Sequence, residues 1–335
     1  MSEAPVRVGV LGCAEIARRR ILPALHRLDG AEITAIASRS PAKAEELAAQ
    51  YDCRPVSGYA ALLDRDDIDA VYVPLPASLH AQWTEAALKS GKHVLAEKPL
   101  TTRLEATRGL LSLARDLGLV LMENMMFVHH SQHEAVRRMV ADGAIGELQD
   151  FQASFAIPAL PPDDIRYNGA LGGGALRELG IYPIRAALHL LGDRLDVVGA
   201  VLRTGAGREV ETSGAALLRA EGGVTAQLTF GLDHAYRCHY QLWGSEARIT
   251  LDRAFTPPAD YRPTVLVEHR SGGSHEVLLA ADDQVAKALS AFVTAVRSRT
   301  PPSDDCLRHA ELLDEVYRAA RADQSPDEQN RTLCP

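Results

Sequence analysis

No stretch of the chain is apolar for long enough to cross a membrane as a helix, which takes about 20 residues. The start, MSEAPVRVGVLG, has no basic segment followed by a long apolar one and runs straight into a strand, so no secretory leader is expected. There is no basic stripe. Lys and Arg number 36 against 44 Asp and Glu, the formal net charge is −8, and both signs are mixed along the chain, which argues against a nucleic-acid partner. Cysteine is scarce and scattered: Cys13, Cys53, Cys238, Cys306 and Cys334 form no CxxC pair, as expected of reduced thiols in a cytoplasmic protein. Repeats and low-complexity tracts are absent too. What remains is an ordinary globular composition, 46% apolar and 24% charged, in 335 residues, enough for two domains with cores of their own.

The first third alternates strand and helix. Short β-rich runs at 6–11, 32–37, 69–73, 94–96 and 119–122 are separated by helical patterns at about 16–28, 41–51, 78–90 and 104–117. Near-continuously apolar strands alternating with helices predict a parallel sheet covered on both faces, a doubly wound α/β nucleotide-binding fold over residues 1–124. The first strand opens into a helix through Gly12-Cys13-Ala14-Glu15-Ile16, a variant of the dinucleotide fingerprint with Ala14 at the second glycine position. These five residues are the expected pyrophosphate cradle. The second strand ends in Ser38-Arg39, where an NAD site usually carries an acid for the ribose hydroxyl. A hydroxyl and a planar cation suit a 2′-phosphate, so NADP(H) is the expected cofactor.

After about Asn124 the alternation stops. Strand-like runs at 147–157, 195–204, 213–220, 224–230, 237–243, 246–251, 264–269 and 275–280 follow one another, with a helix at about 178–191 and two more at 283–298 and 304–322. Residues 125–335 therefore read as an α+β domain with one large, open, mostly antiparallel sheet. A bare sheet face suggests a homo-oligomer, a dimer or tetramer. The last residues, 323–335, are polar and expected to be loose. The irregular stretch IPALPPDDIRYNGALGGG, residues 157–174, reads as a functional loop.

Four stretches carry a resemblance: Gly12-Cys13-Ala14, Pro74-Leu75-Pro76 with His80, Glu97-Lys98-Pro99, and Gly172-Gly173-Gly174 with Glu178 and Tyr182. Together they resemble the glucose–fructose oxidoreductase and inositol dehydrogenase family of NAD(P)-dependent oxidoreductases, over nearly the whole chain. RVGVLGCAEIARRRILPAL, KHVLAEKPLTT, ALPPDDIRY and LWGSEARITLDRAFTPP are similar to the branch of C-3 ketoreductases of deoxysugar biosynthesis in antibiotic pathways. That resemblance implies a dTDP-linked 3,4-diketo-2,6-dideoxy sugar as substrate. It also implies a cis Lys98–Pro99 bond, cofactor contacts from Leu75, His80, Glu97, Arg166 and Glu178, and substrate contacts from Arg19, Tyr236 and Thr256. Glu178 stands where the family commonly has Asp.

Hydride delivery to a ketone leaves negative charge on oxygen, so a cation and a proton donor should face that oxygen. Lys98, at the carboxyl end of a parallel strand, and Tyr182, at a helix start, are the expected catalytic pair and contact the substrate. Either could be the direct donor. His129, His130 and His133 lack a carboxylate spaced for metal binding, and no metal is expected. Two other readings fit the same residues. One is a sugar or inositol dehydrogenase working oxidatively, against which Ser38-Arg39 speaks. The other is a cofactor-binding regulator, which would need neither Lys98 nor Tyr182.

Overall fold

The computed structural model describes residues 4–322, so the segment 323–335, expected to be loose, and Cys334 within it lie outside the described residues. The chain forms two compact units. One takes residues up to His129 together with Asp283–Leu307; the other takes His130–Asp282 and the chain from Arg308 on.

Among the described residues, the first unit is built on six parallel strands: β1 (Val6–Leu11), β2 (Ala31–Ser38), β3 (Arg54–Ser57), β4 (Ala70–Val73), β5 (His93–Ala96) and β6 (Leu121–Glu123). Their order is β3-β2-β1-β4-β5-β6, so the chain reverses its direction of winding between β1 and β4, where ligands of such sheets bind beyond the carboxyl ends. The doubly wound expectation is met. Sequence reading omits β3, because RPVS is an exposed edge strand that carries a proline and lacks an apolar run. Alternate residues of each strand enter opposite cores. Val8, Val10, Tyr72 and Leu95 face one layer, and Val71, Val73, Val94 and Ala96 face the other.

The helix Gln284–Ser298 belongs to this first unit, although the sequence reading counts it with the second. Its apolar positions Val285, Leu289, Phe292, Val293 and Val296 recur at helical spacing and join the core of Val6, Val8, Val10 and Ile21. Its start is capped by Asp283, whose carboxylate accepts from the amides of Val285 and Ala286 at 2.9 and 3.1 Å. Nothing in local pattern tells such a helix which of two cores it serves.

The second unit, among the described residues, carries eight strands: β7 (Leu148–Ala156), β8 (Leu195–Thr204), β9 (Glu211–Ala220), β10 (Thr225–Gly231), β11 (Arg237–Gly244), β12 (Ala247–Asp252), β13 (Thr264–His269) and β14 (Ser274–Leu278). The order is β14-β13-β12-β11-β7-β10-β9-β8, and every pair is antiparallel except β7 with β10. The large, open, mostly antiparallel sheet expected from the sequence is present. Burial alternates along β9 and β10, and Val198, Val201, Leu217 and Trp243 are exposed. No described helix is long and apolar enough to cross a membrane.

Under this sheet, the helix Ser131–Ala141 places His133 in full burial, with Nδ1 3.1 Å from the Tyr240 hydroxyl and its ring edge-on to His189 and His130. Burial, with the His189 and His130 rings added, holds the proton affinity of His133 well below the ordinary histidine value. Burial first, and then Arg237, lowers His239 to about 4. Both rings are neutral in the folded chain at a pH where the unfolded chain takes up protons, from about 6.5 downward. Stability should therefore fall as the pH drops from about 6.5 toward 4. A thermal melt at about pH 7.5 and about pH 5 checks this: a lower midpoint at the acidic pH is expected, and an equal or higher one contradicts it.

Candidate active site

At the carboxyl end of β1 the chain turns at Gly12, whose amide bonds the Ala37 carbonyl at 2.9 Å. Its φ is +119°, and a Cβ there would lie 3.0 Å from the Leu75 side chain, so only glycine holds this turn without strain. Cys13 is half-buried, with Sγ 3.5 Å from the Lys43 carbonyl, and burial raises its thiol pKa. The Ala14 carbonyl accepts from the amide of Arg18 at 3.1 Å, and Glu15 pairs with Arg19 one turn on. The helix predicted over 16–28 begins instead as a π-turn, Ala17–Ile21, and continues as an α-helix over Leu22–Arg27. Pro23 accounts for the widening, since its ring crowds the carbonyl four residues back.

Ser38 is buried at the end of β2 and accepts from the amide of Ser40 at 3.1 Å, while Arg39 is exposed. Beside Arg39 lies a cleft of about 590 Å³ lined by Ser57, Tyr59, Leu79, Gln82 and Trp83. Tyr59 and Trp83 meet edge to face at 5.0 Å. The sequence reading misses this wall: β3 is not recognised, and Gln82 and Trp83 look like ordinary helix residues.

β5 is followed by Glu97-Lys98-Pro99, and the Lys98–Pro99 peptide bond is cis. The segment is tied down on both sides. His80 is buried, with Nδ1 2.7 Å from the Pro99 carbonyl and Nε2 2.6 Å from the Leu75 carbonyl. The amide of Leu100 donates to Glu123 at 2.7 Å. His80, expected to touch a cofactor, thus clamps the two loops carrying Leu75 and Lys98 to each other. The Glu97 carboxylate is buried and accepts at one oxygen from both the Tyr72 hydroxyl and the Asn124 amide, each at 2.7 Å.

In the second unit the loop before the glycine triplet is held by its own charges. Arg166 pairs with Asp164 at 3.0 Å and lies 3.7 Å from Glu178, so the two expected cofactor contacts come together here. A Cβ on Gly173 would collide with the Arg166 and Ile165 carbonyls, so glycine lets the backbone pack this closely here. The segment Leu176–Gly180 is a second π-turn and again stands just before a proline, Pro183. Tyr182 follows it, with its ring edge-on to Phe155 at 5.0 Å and tilted on Phe255 at 5.8 Å. Tyr236 is half-exposed and lies close to Thr256 and Cys238; burial first, and then Cys238, raises its pKa. The expected substrate residues Tyr236 and Thr256 are thus neighbours. Among the described residues, no group of three His, Cys, Asp or Glu could hold a metal ion.

Two family models match this chain in succession. Residues 6–125 fit an oxidoreductase family with an NAD-binding Rossmann fold, and residues 133–250 fit the GFO/IDH/MocA C-terminal domain. The chain belongs to the GFO/IDH/MocA oxidoreductase family. Among its relatives is a dTDP-3,4-didehydro-2,6-dideoxy-alpha-D-glucose 3-reductase of Actinomadura kijaniata, 53% identical, covering 95% of this chain and 96% of the relative. A reductase of the same name from Saccharopolyspora spinosa is 51% identical, covering 95% and 98%. KijD10, a 3-ketoreductase from Actinomadura kijaniata solved with NADP and TDP-benzene, superposes with a TM-score of 0.91 at 52% identity, covering 94% of this chain and 98% of that one. The GFO/IDH/MocA match accounts for the break in character near Asn124, since the first model ends at Met125 and the second begins at His133.

Proposed function

We propose that this protein is an NADPH-dependent C-3 ketoreductase acting on a dTDP-linked 3,4-diketo-2,6-dideoxy sugar. The observation that supports it most is end-to-end similarity, at about half the residues, to reductases bearing that activity in their names. NADPH would supply the hydride. The first unit fits such a cofactor: Gly12 leaves the β1 turn without a side chain, the helix start offers backbone N–H groups to a pyrophosphate, and the cleft beside Arg39 suits an adenosine end. Gly12 to Ile16, Leu75 and Glu97 would line the cofactor, with Ser38 and Arg39 on its 2′-phosphate and Arg166 and Glu178 as further contacts. Arg19, Tyr236 and Thr256 would hold the dTDP sugar.

Lys98 places a positive charge where the ketone oxygen becomes negative, and Tyr182 orients that ketone and gives it a proton. Residues 1–124 serve the cofactor and 125–335 the substrate, with Gln284–Ser298 lent back to the first core. The bare face of the eight-stranded sheet pairs copies of the chain into a dimer or tetramer. The setting is cytoplasmic antibiotic biosynthesis.

The cofactor preference has a direct test. Arg39→Ala removes the cation at the end of β2 and touches no core, because Arg39 is exposed. KM for NADPH should rise about tenfold or more, with KM for NADH nearly unchanged, in steady-state assays of both cofactors. Equal effects on the two, or a wild-type preference for NADH, would contradict it.

A further inference from the structure

Three polar side chains at the carboxyl edge of the first sheet form a buried unit, and two of them, Tyr72 and Asn124, have no part in the proposed chemistry. Strand register brings them together. Tyr72 of β4 pairs with Leu95 of β5, and Leu95 with Met122 of β6. Glu97 and Asn124 each lie two residues further on, so they share the sheet face that Tyr72 occupies. Tyr72 and Asn124 are each 1% exposed, and Glu97 is 7% exposed. Tyr72 and Asn124 donate to the same Glu97 oxygen, from the phenol hydroxyl and from Nδ2. Burial, and then the charge of Glu97, pushes the Tyr72 phenol well above its ordinary value, so it stays a donor. The Asn124 backbone is fixed as well, its amide bonding the Ala96 carbonyl at 2.7 Å.

A carboxylate is expensive to bury, and a hydrophobic trio at these strand ends would pack without that cost. Asn124 carries a further cost: its Oδ1 is buried and has no hydrogen-bond partner among the described residues. A network that is costly and immediately precedes Lys98 is better explained by what it aims than by stability. We propose that Tyr72 and Asn124 are positioning residues that act through Glu97, locking its carboxylate in the orientation that meets the bound nicotinamide cofactor. This rests on the NADP(H) part of the proposed function and is independent of the sugar.

The test is NADPH affinity, read by fluorescence, for Tyr72→Phe and Asn124→Ala in three backgrounds: wild type, Glu97→Gln and Glu97→Ala. Thermal midpoints confirm that each variant folds. In the wild-type background each substitution should weaken NADPH about tenfold, the lower end of the scale of one lost hydrogen bond to a charged group. Gln at position 97 keeps an oxygen that accepts from both partners, so the loss should persist there. In Glu97→Ala nothing remains to be aimed, so the loss should vanish. A purely structural role would lower the thermal midpoint equally in all backgrounds and leave affinity alone. An affinity for Tyr72→Phe within about twofold of wild type overturns the inference by itself. Because no sugar is present, a wild-type protein that binds NADPH but reduces no ketosugar would fail the proposed function while leaving this inference standing.

Discussion

Lys98→Ala should lower kcat for ketosugar reduction by at least about a hundredfold while NADPH still binds. Lys98 follows β5 at the carboxyl edge of a parallel sheet, where substrate atoms of this architecture come to rest. The segment that carries it is held on both sides. His80 holds the Pro99 carbonyl and Glu123 holds the Leu100 amide. A side chain on so braced a segment is preorganised, and preorganised charge is worth more than mobile charge because nothing must reorganise during the reaction. Alanine removes the ammonium and leaves these braces, since both engage neighbouring residues. The measurement is single-turnover NADPH oxidation, with cofactor binding followed separately by fluorescence. A kcat near wild type would make the lysine structural and the mechanism wrong.

Tyr182→Phe should cost about a hundredfold in kcat, with little change in thermal midpoint. The ring is packed against Phe155 and Phe255, and phenylalanine preserves both contacts. The substitution therefore isolates the hydroxyl. If Lys98 and Tyr182 serve one oxygen, their losses do not multiply, and the double variant should be little worse than Lys98→Ala alone. Steady-state kcat for the two single variants and the double gives the answer. Fully multiplicative losses would mean that the two side chains act independently, and an unchanged kcat for Tyr182→Phe would remove it from the chemistry.

Much of the fold is legible in the sequence because its signals are local. Period-two alternation locates the strands of the second unit to within a few residues: 195–204 is read as a strand, and Leu195–Thr204 is one. Edge strand β3 escapes because Arg54-Pro55-Val56-Ser57 buries too little to show a pattern. The two π-turns escape because the periodicity around Pro23 and Pro183 still reads as helix. The allegiance of Gln284–Ser298 escapes for a different reason: an amphipathic face announces that it will be buried, but not where.

The candidate site divides the same way. Gly12, Ser38-Arg39 and Glu97-Lys98-Pro99 are readable because each sits at a strand end, where the doubly wound fold places ligands. Tyr72 and Asn124 are missed because a tyrosine inside DAVYV and an asparagine after a strand carry no motif; only the register across β4, β5 and β6 aligns them with Glu97. Gln82 and Trp83 are missed because they follow His80 on the same helix and gain meaning only from the cleft they line beside Arg39.

Reduction of a ketone on a dTDP-linked sugar by NADPH is the proposed activity. Its most direct measurement follows NADPH absorbance with purified protein and freshly prepared dTDP-3,4-diketo-2,6-dideoxy sugar, with product identified by mass. NADPH consumption that depends on the ketosugar is expected, with a product heavier by the two hydrogens added and no oxidation of free glucose or inositol with NAD or NADP. Turnover of a free sugar or inositol in the oxidative direction, with no NADPH consumed on the dTDP-ketosugar, would contradict it.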